Sequence, residues 1–163
     1  IYTGEDTLSL HDALPISGKT ELPLDKYRIP ALIYGPNYIK PAHYTNLMSQ
    51  IDVMPTVFGL LNFNYQSKFF GQDVLKSNYK PRALIATYQN LGLLKDNVLT
   101  IISPKQQAKQ LQLTLVPNPK IGIDFQLFYD EKPLDKARPD LINETISYYQ
   151  TASDMLKKKK YQK

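Results

Sequence analysis

His11 and Asp12 are adjacent, an imidazole beside a carboxylate that could share a proton or supply two ligands to a metal. A little further on, Ser17-Gly18-Lys19-Thr20 imitates the end of a phosphate-cradling loop. The imitation fails, because the earlier glycine such a loop needs is replaced by Ala13, and Glu21-Leu22-Pro23 blocks the helix that must follow. The second histidine, His43, stands on a polar stretch after Pro41 with Asn46 and Leu47 at the next helical positions, and reads as solvent-facing. The carboxylates outside residues 1–16 are scattered, and Asp52 reads as a helix cap. With 0 Cys and 2 His in 163 residues, disulfides, thiolate metal sites, cysteine nucleophiles and multi-histidine metal centres are excluded. No catalytic residue and no metal ligand is assigned from these residues.

The elements that would have to position any chemistry begin with a suspect segment. Thr7-Leu8-Ser9-Leu10-His11-Asp12-Ala13-Leu14-Pro15-Ile16 matches, codon for codon, the translation of a common short-read sequencing adapter, ACT CTT TCC CTA CAC GAC GCT CTT CCG ATC. Ile1-Tyr2-Thr3, two variable residues and Asp6 fit its upstream part. Residues 1–16 are therefore expected to be a non-native, adapter-derived segment, and residues 17–163 a piece of a longer protein. On this reading His11 and Asp12 have no role.

Setting aside Glu5, Asp6 and Asp12 raises the formal charge from +5 to +8. Five of those charges lie in residues 157–163, so the rest shows no basic face that demands a polyanion. A short lysine run after a helix commonly serves as a solvated end that favours the helix dipole. No apolar run approaches the roughly 18 residues of a membrane span.

A hydrophobic content of 42% in a chain of this length suits one domain with a core. Residues 26–36 form a nearly continuous apolar run between prolines, which predicts a strand buried on both faces. Asp52 and Pro55 predict the start of a helix whose Val53, Val57, Leu60 and Leu61 face a sheet. Residues 62–75 read as a long loop anchored by aromatic side chains. Residues 83–88, 91–94, 98–103, 111–116 and 121–129 predict strands, with a hairpin about Lys95-Asp96-Asn97 and an alternation implying one wet face. Arg138-Pro139-Asp140 opens a last helix bearing Leu141, Ile142, Thr145, Ile146, Tyr149, Ala152 and Leu156 on one stripe.

Tyr27-Arg28-Ile29-Pro30-Ala31-Leu32-Ile33-Tyr34-Gly35-Pro36, then Met48-Ser49-Gln50-Ile51-Asp52-Val53-Met54-Pro55-Thr56, then Phe69-Phe70-Gly71-Gln72-Asp73-Val74-Leu75 make a combination that is fairly specific. It resembles the C-terminal third of sulfatase-like phosphoglycerol transferases of the lipoteichoic acid synthase type, in the alkaline phosphatase superfamily. Gly18-Lys19-Thr20, Thr87-Tyr88-Gln89-Asn90-Leu91-Gly92 and Tyr148-Tyr149-Gln150-Thr151-Ala152-Ser153 add to the likeness.

The resemblance implies an α/β fold, namely the C-terminal part of an alkaline phosphatase-like sandwich with a small antiparallel sheet and a closing C-terminal helix. It implies a parent enzyme anchored outside the cytoplasmic membrane, in which a threonine beside a manganese, magnesium or zinc ion attacks a phospholipid or glycan phosphodiester. The family's glutamate, threonine and Asp-His pair map to no residue here, since the pair would fall just upstream of Gly18. The chain is thus expected to be catalytically inert scaffold with no metal of its own, its partner being the missing N-terminal part of the domain. Lys19, in the loop after the missing pair, is the candidate substrate-rim residue. On this reading no nucleic-acid partner is expected; a second reading is a small non-enzymatic module that meets acidic surfaces, anionic lipid or nucleic acid, through its lysine tail.

Overall fold

Asp96 and Asn97 both take positive φ, 53° and 59°. This is the backbone of a type I′ turn, whose twist matches that of two antiparallel strands. The apolar runs on either side therefore fold back on each other, with Lys95 facing Val98 in the register. The computed structural model describes residues 22, 24–37, 39–68, 70–117 and 127–161.

The hairpin is the centre of a meander in which each strand pairs with the next in sequence. Strands β1 (Ala83–Ala86), β2 (Leu91–Lys95), β3 (Val98–Ser103), β4 (Gln107–Pro117) and β5 (Leu127–Pro133) lie in the order β1-β2-β3-β4-β5, all antiparallel. Short local connections make this the least demanding way to close a sheet. Of the expected last strand, residues 121–126 lie outside the described residues, and β5 runs on to Pro133.

The expectation of one wet face is corrected at the middle of the sheet. Ile85, Leu94, Leu99, Ile101, Leu111 and Leu113 form a buried cluster with Leu22 and Leu24, which come from the 3-10 turn Leu24–Tyr27 and the residue shortly before it. The alternate residues Leu93, Val98 and Thr100 are also buried. They lie on the opposite face, where helix α2 (Pro139–Lys157) contacts β2 and β3. Cover on both sides explains why β2 and β3 read as apolar runs rather than alternations.

Helix α2 starts as predicted at Pro139, a residue suited to the first turn because its missing N–H would have had no partner. Leu141 and Thr145 are buried, Ile142, Ile146 and Tyr149 partly so, and Ala152 and Leu156 are exposed. The stripe thus reaches beyond the sheet beneath it. Gln110 of β4 fastens the start of the helix, accepting from the Arg138 amide at 2.8 Å and donating to the Arg138 carbonyl at 2.9 Å and to Thr100 Oγ1 at 3.0 Å. Lys95 and Glu144 pair at 2.7 Å alongside.

Residues 28–36 do not form the expected strand. They are irregular and exposed, Leu32 to 91% and Tyr34 to 84%. A strand needs neighbours for its N–H and C=O groups, and the sheet of the described residues pairs only the five strands of the meander.

Helix α1 (Val53–Leu60) forms where predicted, but Val53 and Leu61 are exposed, and its buried side is Pro55 and Thr56. It turns toward the loop at residues 70–75 instead of the sheet. Aromatic anchoring holds: Phe63 lies tilted against Phe58 at 5.8 Å, Tyr65 meets Phe58 edge-on at 5.0 Å, and Phe70 meets Tyr148 of α2 edge-on at 5.7 Å. Among the described residues no helix is long and apolar enough to cross a membrane.

Candidate functional site

Among the described residues, the buried charged pair on which several segments converge is Asp52 with Arg82. Asp52 ends the 3-10 turn Gln50–Asp52 that leads into α1. Its own helical dihedrals, φ −83° and ψ −14°, prevent it from acting as the expected side-chain cap of α1. The carboxylate instead reaches backward and sideways. Oδ2 accepts from the Ser49 amide at 2.9 Å, Arg82 Nη1 at 2.8 Å and the Tyr79 hydroxyl at 3.1 Å. Oδ1 accepts from the Gln72 amide at 2.8 Å and Arg82 Nη2 at 3.0 Å.

Burial opposes the charge on Asp52, but the hydrogen bonds from Arg82, Ser49 and Gln72 outweigh it and hold the carboxyl below its usual range. Burial likewise opposes the Arg82 charge and is overcome by Asp52, with Tyr148 of α2 contributing. The Tyr79 phenol is pushed up to about 12, by burial and then by the adjacent carboxylate. The one Tyr79 hydroxyl proton is shared with the Leu47 carbonyl at 2.9 Å, and Arg82 Nη2 donates to the Phe70 carbonyl at 2.7 Å.

Thr56, one turn into α1, completes the clasp. Its hydroxyl donates to the Asp52 carbonyl at 2.7 Å and accepts from the Val74 amide at 3.1 Å. Asp52 and Thr56 therefore each hold one amide of the loop that follows Phe70. Gly71 and Gly59 let the pieces close, since a Cβ on Gly71 would run into the Ile51 carbonyl and one on Gly59 into the Asp73 carboxylate. Asp73 Oδ1 accepts from the Leu75 amide at 3.0 Å. Asp52 and Thr56 thus bond across to the amides of Gln72 and Val74, while Gln72 Oε1 accepts from the Lys80 amide at 3.3 Å.

An ionised carboxylate with five donors around it has no lone pair left to take a proton from a substrate. The arrangement is a structural clasp joining residues 49–56, 70–75 and 79–82. Arg82 and Tyr79 were missed in the sequence because a basic residue just before a strand carries no pattern of its own. No sequence pattern points to Arg82; only the burial of Asp52, seen in the fold, calls for a cation beside it.

Of the other candidates, His43 is exposed as expected. Lys19, His11, Asp12 and the loop imitation at residues 17–20 lie outside the described residues.

A sulfatase family model matches residues 1–63. The match contains the strand-like run and the Ser49 to Thr56 segment, and supports a sulfatase-like relationship. No curated protein matches the chain. Among solved structures, a protein in the alkaline phosphatase superfamily from Vibrio parahaemolyticus is similar, with a TM-score of 0.58 and 20% identity over 71% of this chain. The chain spans 26% of the length of that neighbour. At this identity the likeness concerns the fold: an α/β arrangement with the five-stranded antiparallel sheet and closing helix that the sequence led one to expect.

Sulfatases and alkaline phosphatases are generally metal-dependent, so the described residues must be asked whether they suit a metal. They do not. No group of 3 or more His, Cys, Asp or Glu side chains is close enough to hold an ion among them. The buried carboxylate of Asp52 already faces a guanidinium, a partner that repels a cation.

Proposed function

We propose that this chain is supporting framework from the C-terminal part of a sulfatase-like, metal-dependent hydrolase or transferase. Within that class, the reading favoured is a membrane-anchored phosphoglycerol or phosphoethanolamine transferase of the lipoteichoic acid synthase type, working on a phospholipid or glycan at the outer side of the bacterial cytoplasmic membrane. The observation that carries the proposal is the Asp52 clasp. Two of the segments that resemble the family, residues 48–56 and 69–75, interlock, and they do so through an Asp52 carboxylate whose oxygens are taken up by amides and a guanidinium.

On this reading the nucleophile and metal ligands, including an Asp-His pair, belong to residues upstream of Ser17, in the place of the adapter-like residues 1–16. Lys19 would line the substrate rim. The exposed run at residues 28–36, apolar on both sides, would pair with strands supplied by that upstream part.

The test is the genomic DNA 5′ of the Ser17 codon, followed by expression of the longer reading frame. Expected are an Asp-His pair shortly before Gly18, manganese-, magnesium- or zinc-dependent release of glycerol phosphate from phosphatidylglycerol, and a raised KM in Lys19→Ala. The 163-residue chain should show no turnover. An upstream sequence identical to residues 1–16, or turnover by this chain alone, overturns the proposal.

A further inference from the structure

The last turn of α2 is closed in a fixed geometry. The amides of Lys158, Lys159 and Lys160 donate to the carbonyls of Asp154, Leu156 and Met155 at 3.0, 3.2 and 2.9 Å. Lys159 takes φ 49°, the left-handed position that glycine usually fills at such an end. The Lys68 ammonium then donates to the Lys160 carbonyl at 2.6 Å, bringing a fifth lysine from the loop before Phe70.

Lys68, Lys157, Lys158, Lys159 and Lys160 are all exposed. Asp154 pairs with Lys158 at 2.6 Å and lies in the field of Lys157 and Lys160, so these three ammonium groups gather about a single carboxylate. Leu156, 65% exposed, and Tyr161, 50% exposed, stand among them.

Ammonium groups interleaved with an aliphatic and a phenolic side chain suit a bilayer surface. The amines meet headgroup phosphates, while Leu156 and Tyr161 reach the boundary with the acyl chains. A nucleic acid is served less well, for the cluster contains no arginine to fork onto a phosphate or base edge. We propose that this end of α2, with Lys68, is a docking surface for an anionic lipid bilayer.

The experiment is co-sedimentation of the full chain with vesicles of phosphatidylcholine containing one-third phosphatidylglycerol, against pure phosphatidylcholine. Binding should favour the anionic vesicles and weaken steeply with salt. Each lysine near the surface is worth about fivefold in affinity, so a K157Q/K159Q/K160Q variant should lose well over tenfold. L156S should lose affinity while keeping the salt slope, K76Q/K80Q should bind as the parent does, and circular dichroism melts confirm that each variant is folded. Equal binding to both vesicles, an undiminished triple variant, an unaffected L156S, or tighter binding to duplex DNA than to the anionic vesicles overturns the proposal. The measurement involves no turnover, so it stands or fails apart from the phosphotransferase reading.

Discussion

Asp52 and Arg82, 30 residues apart in sequence, meet through two N–H···O bonds of 2.8 and 3.0 Å while each side chain is only 1% exposed. Among the described residues, Arg82 Nε has no hydrogen-bond partner in the same buried setting. Removing one member of such a pair strands the other charge, which typically costs about 3–5 kcal/mol. D52N should therefore unfold at much lower urea concentration, and D52N/R82M should cost clearly less than the two single changes added together. Additive losses in urea melts would show that the two side chains act independently.

The lowered pKa of Asp52 has a definite sign. A carboxyl depressed by folding contributes stability that is fully present above its unfolded value near ~3.9 and is lost as pH falls through the folded value. Acid unfolding should begin below that value, and its pH dependence should be shallower in D52N, read by circular dichroism.

Tyr79 runs the other way at alkaline pH. Its folded pKa, about 12, lies above the ordinary tyrosine value of 10.0, so its contribution is complete below the latter and disappears as pH rises through the former. Burial pushes the Tyr149 phenol up as well, so ultraviolet titration should show Tyr79 and Tyr149 both ionising late, and Y79F should remove one of the two.

Gly71 and Gly92 should respond differently to alanine. A Cβ on Gly71 meets the Ile51 carbonyl, a piece of backbone, whereas one on Gly92 meets the Cδ1 of Leu22, the far end of a side chain. Overpacking against backbone should place G71A toward the upper end of the usual range of about 1–3 kcal/mol, with G92A below it. Thermal melts that reverse this order would contradict the close approach at Gly71.

Asn97 offers a gain. Its φ of 59° is strained for any residue with a Cβ, and its hairpin role uses only its backbone carbonyl, which accepts from the Leu113 amide at 2.8 Å and from Gln112 at 3.0 Å. N97G should keep the turn and stabilise the chain by a few tenths to about 1 kcal/mol, measured as a rise in Tm.

The sequence by itself determined the local elements: the hairpin about Asp96-Asn97, helix α2 from Pro139, helix α1 near Pro55, and the aromatic anchoring of the loop after it. Each follows from turn chemistry, capping or periodicity within a few residues, and these act before distant parts of the chain meet. It also showed, through its composition, that cysteine and multi-histidine chemistry are excluded. Only the tertiary structure decided that the sheet is covered on both central faces, because that depends on Leu22 and Leu24 arriving on the side opposite α2. It alone made Asp52, which still accepts from the Ser49 amide at the helical start, the centre of a clasp, since the fold brings a buried guanidinium from Arg82 against the same carboxylate. And it left residues 28–36 exposed: apolar character gives a segment a reason to be buried, but a strand exists only where another strand offers its backbone to pair with.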